Sequence, residues 1–109
     1  MDVAIKTRLE AQRARLMRKQ HYMITMKARP MANPAEELAP LLARHLDFIA
    51  DLVARGILFG AGPLRDESGA WEGIGMAIVR ADSIDAARAL AESEPFHMAG
   101  LRTNSVMGR

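Results

Sequence analysis

The sequence predicts an α+β domain with the core order strand, helix, strand, strand, helix, strand, preceded by one extra helix. Three observations predict it. Apolar residues recur with helical spacing over residues 38–53 and run straight into Gly56-Ile57-Leu58-Phe59-Gly60-Ala61-Gly62-Pro63. Two stretches, residues 21–28 and 71–80, alternate with a period of two. A second helical pattern begins at residue 84 and must end before Pro95. At 109 residues, half of them hydrophobic, the chain can bury a modest core.

Composition narrows the function classes. The absence of cysteine excludes disulfides, thiolate catalysis and cysteine metal sites. No run approaches the roughly 18 to 20 apolar residues needed to cross a bilayer, and the polar start Met1-Asp2 opens no signal peptide, so a cytoplasmic protein without a membrane partner is expected. Eight methionines against one tryptophan and one tyrosine suggest an adaptable interior or an apolar surface that meets a partner. The net charge is +2, but residues 1–20 alone carry six basic residues against two acidic ones. The high pI therefore belongs to an N-terminal arm and not to the domain of residues 21–109.

Residues 2–20 hold no Gly or Pro and are rich in helix formers, with Ile5, Leu9 and Leu16 as a thin apolar stripe. This basic helix could lie on a partner. Nucleic acid is disfavoured, because the domain that follows has no basic patch and few aromatics for stacking. Residues 21–28 place Tyr22, Ile24, Met26 and Ala28 on one face of a strand. Asn33-Pro34-Ala35-Glu36 starts a helix, with Asn as cap, Pro in the first position and Glu36 reaching back. Pro40 separates or bends its first turn. The helix continues through Leu41, Leu42, Leu46, Ile49, Leu52 and Val53 and stops at Gly56.

Residues 57–61 are expected as a short strand ended by Gly62-Pro63, and residues 64–70 as a charged loop. In the strand of residues 71–80, Ile74, Met76 and Ile78 alternate with a row of small residues, Gly73, Gly75 and Ala77, which leaves room for a close neighbour or a ligand. Asp82 or Ser83 caps the next helix, with Ile84, Ala87, Leu90 and Ala91 inward, and residues 101–107 form the last strand. This is the split βαβ order of the ferredoxin-like fold, a four-stranded antiparallel sheet with helices on one face. Both faces of its first and third strands are apolar or small, so the open face should also be covered, most simply by a second subunit in a homodimer.

His45 falls inside the helical stripe, on the face expected to be buried, four residues after Leu41 and four before Ile49. It is either a core histidine hydrogen-bonded to backbone or water, or a general acid/base near neutral pH. Gly60-Ala61-Gly62 is no dinucleotide fingerprint, because Pro63 follows and no helix opens there. His21, His45 and His97 are too scattered to show a metal motif. Ser68, Ser83, Ser93 and Ser105 lie in no nucleophile motif. Neither cofactor nor metal is called for.

With Tyr22-Met23-Ile24, His45, the Gly56 to Pro63 segment, Pro95-Phe96 and Ala99-Gly100-Leu101 in this order, the chain resembles the YCII-related family of dimeric α/β-barrel proteins. The resemblance implies a cleft between the sheet and the dimer partner, with His45 as catalytic residue. It further implies cofactor-free acid/base chemistry of lyase or isomerase type on a small metabolite. Gly62, Pro63, Glu94 and Phe96 come to one rim and are candidate ligand contacts. Two positions depart from the family pattern. The aspartate usual after the first strand is replaced by Met26-Lys27-Ala28-Arg29, and the aspartate usual before Pro-Phe is Glu94. Lys27 and Arg29 suggest a cationic cleft mouth and an anionic, aromatic or aliphatic, ligand. The alternative is a non-catalytic ligand-binding or assembly module whose basic helix docks a partner. A pocket in which His45 meets another carboxylate, such as Glu94 or Glu72, favours the enzyme; a His45 buried without a cavity favours the module.

Overall fold

The computed structural model describes residues 2–15 and 20–108. In chain order it contains α1 (Val3–Arg15), β1 (His21–Ala28), α2 (Pro34–Leu38), a 3-10 turn (Ala39–Leu41), α3 (Leu42–Ala54), β2 (Leu58–Arg65), β3 (Trp71–Arg80), α4 (Ile84–Glu92), α5 (Pro95–Met98) and β4 (Arg102–Gly108). The strands form one antiparallel sheet in the order β2-β3-β1-β4. This is the ferredoxin-like topology. Val3, Ile5 and Leu9 of α1 are exposed. The expected continuation of that helix over residues 16–19, with Leu16, Arg18 and Lys19, lies outside the described residues, and Gln20 is not helical.

The core forms where the two alternating strands meet the helices. Tyr22, Ile24 and Met26 of β1 stand opposite Val79, Ala77 and Gly75 of β3, so large side chains on the central strand face small ones on its neighbour. Leu52 of α3 and Ala87 and Ala91 of α4 close over them. Each fully buried side chain of the size of Ile24 or Leu52 contributes about 1.5–3 kcal/mol. The other face of the sheet stays open, with Met23, Phe59 and Met107 exposed and Ile74, Met76 and Ile78 half-buried.

Two glycines are required by the backbone. Gly56 ends α3 at φ +68°. Gly73 sits at φ +82°, and a Cβ there would meet the Ala28 Cβ at 2.6 Å, so β3 can lie against the end of β1 only without a side chain at this point.

Several local expectations are corrected. Gly62-Pro63 does not end β2, which runs on to Arg65. β2 is an edge strand with register shifts on either side of residues 60–63, and a proline is tolerated where no ladder hydrogen bond is needed. The Asn33 side chain makes no cap, and Glu37, not Glu36, accepts from the Asn33 N–H at 3.0 Å. The stripe on residues 38–53 is not uniformly buried: Leu38 and Leu52 are in the core, while Leu42, Leu46 and Val53 are exposed. The 3-10 turn at Pro40 separates α2 from α3, so one helical phase does not carry across it. His45 is half-buried on the flank that this leaves facing β2.

Candidate active site

Between α3 and the edge formed by β2 and β3 lies a cavity of 370 Å³. Leu42, Leu46 and Ile49 form its helical wall, Ala61, Gly62 and Pro63 its strand wall, and His45, Phe96 and Arg102 its inner end. Arg65 and Trp71 also line it. His45 reaches the space because α3 holds it one turn from Leu42 and Ile49 on the same flank.

Beneath the imidazole is Glu94, whose side chain is 0% exposed. Its two oxygens have different partners. Oε2 accepts the His97 N–H at 2.8 Å, so the carboxylate caps α5, where Pro95 occupies the first turn. Oε1 lies 3.2 Å from His45 Nδ1 and accepts from Arg102 Nη1 at 3.3 Å. The His45 contact is at ion-pair distance, but the ring N–H points off the line to the oxygen and makes no aligned hydrogen bond. Loose alignment of this kind is common in the unliganded form of proton-transfer sites.

Arg102 enters from β4 and is 6% exposed. Its guanidinium passes under β1, contacting Met26 Sδ at 3.3 Å. It lies against Gly75, where a Cβ would make ordinary contact with both Nη atoms at 3.8 Å. The Phe96 ring links the group. His45 stacks on it with centroids 4.9 Å apart, and the Arg102 guanidinium carbon lies 4.7 Å from its centroid.

Burial pushes the Glu94 carboxyl up, but contact with His45, the His97 N–H and the charges of His45 and Arg102 outweigh it and hold it below its ordinary value. For Arg102, burial lowers the guanidinium below its usual value and Glu94 offsets part of that effect. The arrangement is thus an imidazole in contact with an ionised, buried carboxylate that has its own fixed counter-charge. It can hold one proton-transfer group in place at the end of a largely apolar space.

The sequence-derived candidates divide into two groups. Gly62, Pro63 and Phe96 line the cavity with His45, and Glu94 lies under it. Lys27 and Arg29 line a separate hollow of 500 Å³ together with Pro30, Pro34 and Glu72. The period of β1 turns Lys27 away from the helices, and the Arg29 N–H is bonded to the Leu101 carbonyl. The cavity also lies on the helix-covered side of the sheet, not on its open face, because a side chain of α3 reaches only that side. Among the described residues no three His, Asp or Glu side chains converge as a metal site, and no helix is long and apolar enough to cross a membrane.

Residues 20–107 match the model of the YCII-related domain. The chain belongs to the YCII-related family. No curated protein matches it. Among solved structures it is similar to 5-chloro-2-hydroxyhydroquinone dehydrochlorinase from Burkholderia phenoliruptrix in complex with 2,5-dihydroxybenzoquinone. That similarity has a TM-score of 0.65 and 23% identity over 80% of this chain and 90% of that one, a likeness of fold.

In this YCII-related chain, sequence reasoning missed Arg102, Arg65 and Trp71. A signal for Arg102 exists. In the register of β4, Arg102, Asn104 and Val106 pair with Ala28, Met26 and Ile24, so two polar residues occupy inward positions of a strand. Asn104 is held there by donating to the Ala91 carbonyl at 2.8 Å. An inward Arg needs a buried counter-charge, and Glu94 is the nearby acid in sequence. Arg65 and Trp71 become neighbours only through the β2–β3 register.

Proposed function

We propose that this protein binds a small aromatic, anionic metabolite in the α3–β2 cavity and moves a proton on it with His45, in a cofactor-free lyase or isomerase step. The observation that carries this reading is the 3.2 Å contact between His45 Nδ1 and the fully buried Glu94 at the inner end of a ligand-sized space. With Glu94 beside Nδ1, Nε2 is left as the base. It takes a proton from carbon or from a hydroxyl of the ligand, and the electron pair released either shifts a double bond or expels a leaving anion. Glu94 then stabilises the imidazolium that forms, and Arg102 keeps that carboxylate ionised. The fold shared with a dehydrochlorinase is compatible with such an elimination. The exposed and half-buried methionines and isoleucines of the open sheet face support a second copy of the chain as its cover, and a monomeric mass in light scattering would remove that part.

The test is binding of 2,5-dihydroxybenzoquinone and chloride release from 5-chloro-2-hydroxyhydroquinone, in wild type, His45→Ala and Glu94→Gln. Wild type is expected to bind and turn over. His45→Ala should lower turnover by about 10²–10⁴-fold while remaining folded, the usual contribution of a general base. Equal turnover in wild type and His45→Ala would overturn the reading, as would a wild type that neither binds nor reacts with hydroxylated aromatics. The second result would favour a non-catalytic module.

A further inference from the structure

The charges around the cavity are unequally compensated. Arg102 is bound to Glu94, so the buried pair adds no net charge. Lys27 and Arg29, the cations that the sequence brings to mind, line another hollow. Arg65 is different. It lines the cavity, and among the described residues it makes no ion pair with a carboxylate. The acid next to it in sequence is engaged elsewhere: Asp66 Oδ1 accepts from Ser68 N at 2.8 Å, Ser68 Oγ at 2.5 Å and Ala70 N at 3.0 Å. These bonds, the Ser68 hydroxyl first, hold the Asp66 carboxyl below its ordinary value. They also fix the turn that carries Arg65, whose Nη1 donates to the Gly69 carbonyl at 3.1 Å.

The β2–β3 register sets Arg65 directly opposite Trp71. The indole is fixed by its own N–H, which donates to the Ile74 carbonyl at 2.9 Å. Pro63 pairs with Gly75 on the same side of the hairpin, so the mouth joins one free guanidinium to an indole and a proline ring. We propose that Arg65 recognises the negative charge of the ligand and that Trp71 selects its ring, so the site takes a planar aromatic monoanion. The ring lies along Trp71 and Pro63, with its charged group at Arg65 and its far edge toward His45. Among the described residues that line the cavity, a second negative charge would find no other arginine or lysine free of a carboxylate, because Arg102 is already engaged. The inference rests on the cavity being the ligand site proposed above.

Titration calorimetry with benzoate, its neutral analogue benzamide and the non-aromatic cyclohexanecarboxylate reads charge and ring separately. Wild type should prefer benzoate to benzamide by about tenfold or more, the scale of one charged hydrogen bond. Arg65→Gln should erase that preference. Trp71→Leu should erase the preference for benzoate over cyclohexanecarboxylate. Lys27→Gln combined with Arg29→Gln should change neither. The assignment is overturned if Arg65→Gln keeps the charge preference, if the Lys27/Arg29 variant removes it, or if wild type shows none. Leu46→Trp, which fills the cavity from its helical wall, separates the two layers of the proposal. Benzoate binding that survives Leu46→Trp removes the cavity as the site, and the function proposed for it fails too. Binding lost in Leu46→Trp, with the charge preference retained in Arg65→Gln, removes only the role of Arg65.

Discussion

Two hollows at opposite ends of the sheet differ in where their charges sit. The larger, of 890 Å³, is lined by Gln20, Arg55, Arg80 and Asp82 with Ile57 and Leu90. Its Arg55 is exposed and pairs with Asp51 at 3.1 Å across one helical turn. The smaller, of 370 Å³, ends on His45 and on Arg102, which is 6% exposed, with a carboxylate that is 0% exposed beneath them. Volume therefore does not mark the chemistry. Water screens the exposed Arg55–Asp51 pair, whereas at Glu94 the low dielectric makes every missing partner expensive and every fixed one strong. Perturbed ionisable groups held by opposing charges are what proton-transfer sites use, and Glu94 with Arg102 at the smaller hollow is such a pair.

Removing the buried counter-charge should break this contrast most visibly. Arg102→Met leaves Glu94 ionised beneath His45 without its fixed cation, a change that costs about 3–5 kcal/mol in comparable buried pairs. Urea unfolding near neutral pH reads it directly. A loss below about 1 kcal/mol would mean that water reaches Glu94 and that the two hollows are electrostatically alike. The double change Arg102→Met with Glu94→Gln should recover part of the stability, because removing both charges leaves no unpaired ion.

Glu94→Gln alone leaves the buried Arg102 guanidinium without its carboxylate and should cost a comparable amount, about 3–5 kcal/mol at neutral pH, and its pH dependence sharpens the comparison. The folded state holds this carboxyl below its ordinary value. The unfolded chain therefore takes up the proton first as pH falls. The stability contributed by ionised Glu94 is fully present above the unfolded value, about 4.3, and is lost as pH drops through the folded one. Unfolding midpoints measured from pH 7 to pH 3 should fall more steeply in wild type than in Glu94→Gln, so that the two curves converge in acid. Parallel curves would show that Glu94 titrates alike in the folded and unfolded states.

The fold was legible because its signals are local. Alternation at residues 21–28 and 71–80 marked β1 and β3, Gly56 marked the end of α3, and Ser83 caps α4 by accepting from the Ala86 N–H at 3.0 Å. His45 was legible for a similar reason, as an imidazole within an apolar period. Its partner was less so. Glu94 stands 49 positions later in the sequence, and only the crossing of α3 over the start of α5 brings them together. The row of small residues on β3 was readable as space. That the Arg102 guanidinium lies against Gly75, and the close approach of Ala28 at Gly73, depended on strand register. Burial along residues 38–53 was misjudged because periodicity reports which side chains share a face and not what stands opposite. Opposite Leu42 and Leu46 stands a cavity.

The smallest expected effect lies in the other hollow. Arg55→Gln removes a cation from the larger space and breaks its pair with Asp51, yet both side chains are more than half exposed. An exposed pair one helical turn apart contributes about 0.3–0.5 kcal/mol, and salt screens even that. The stability of Arg55→Gln should therefore lie within about 0.5 kcal/mol of wild type at low salt, with the difference fading as salt is raised. Because Arg102 is cut off from mobile ions, the loss in Arg102→Met should persist at the same salt concentrations. A large, salt-resistant loss in Arg55→Gln would place a buried charge in the larger hollow as well and remove the distinction between the two ends of the sheet.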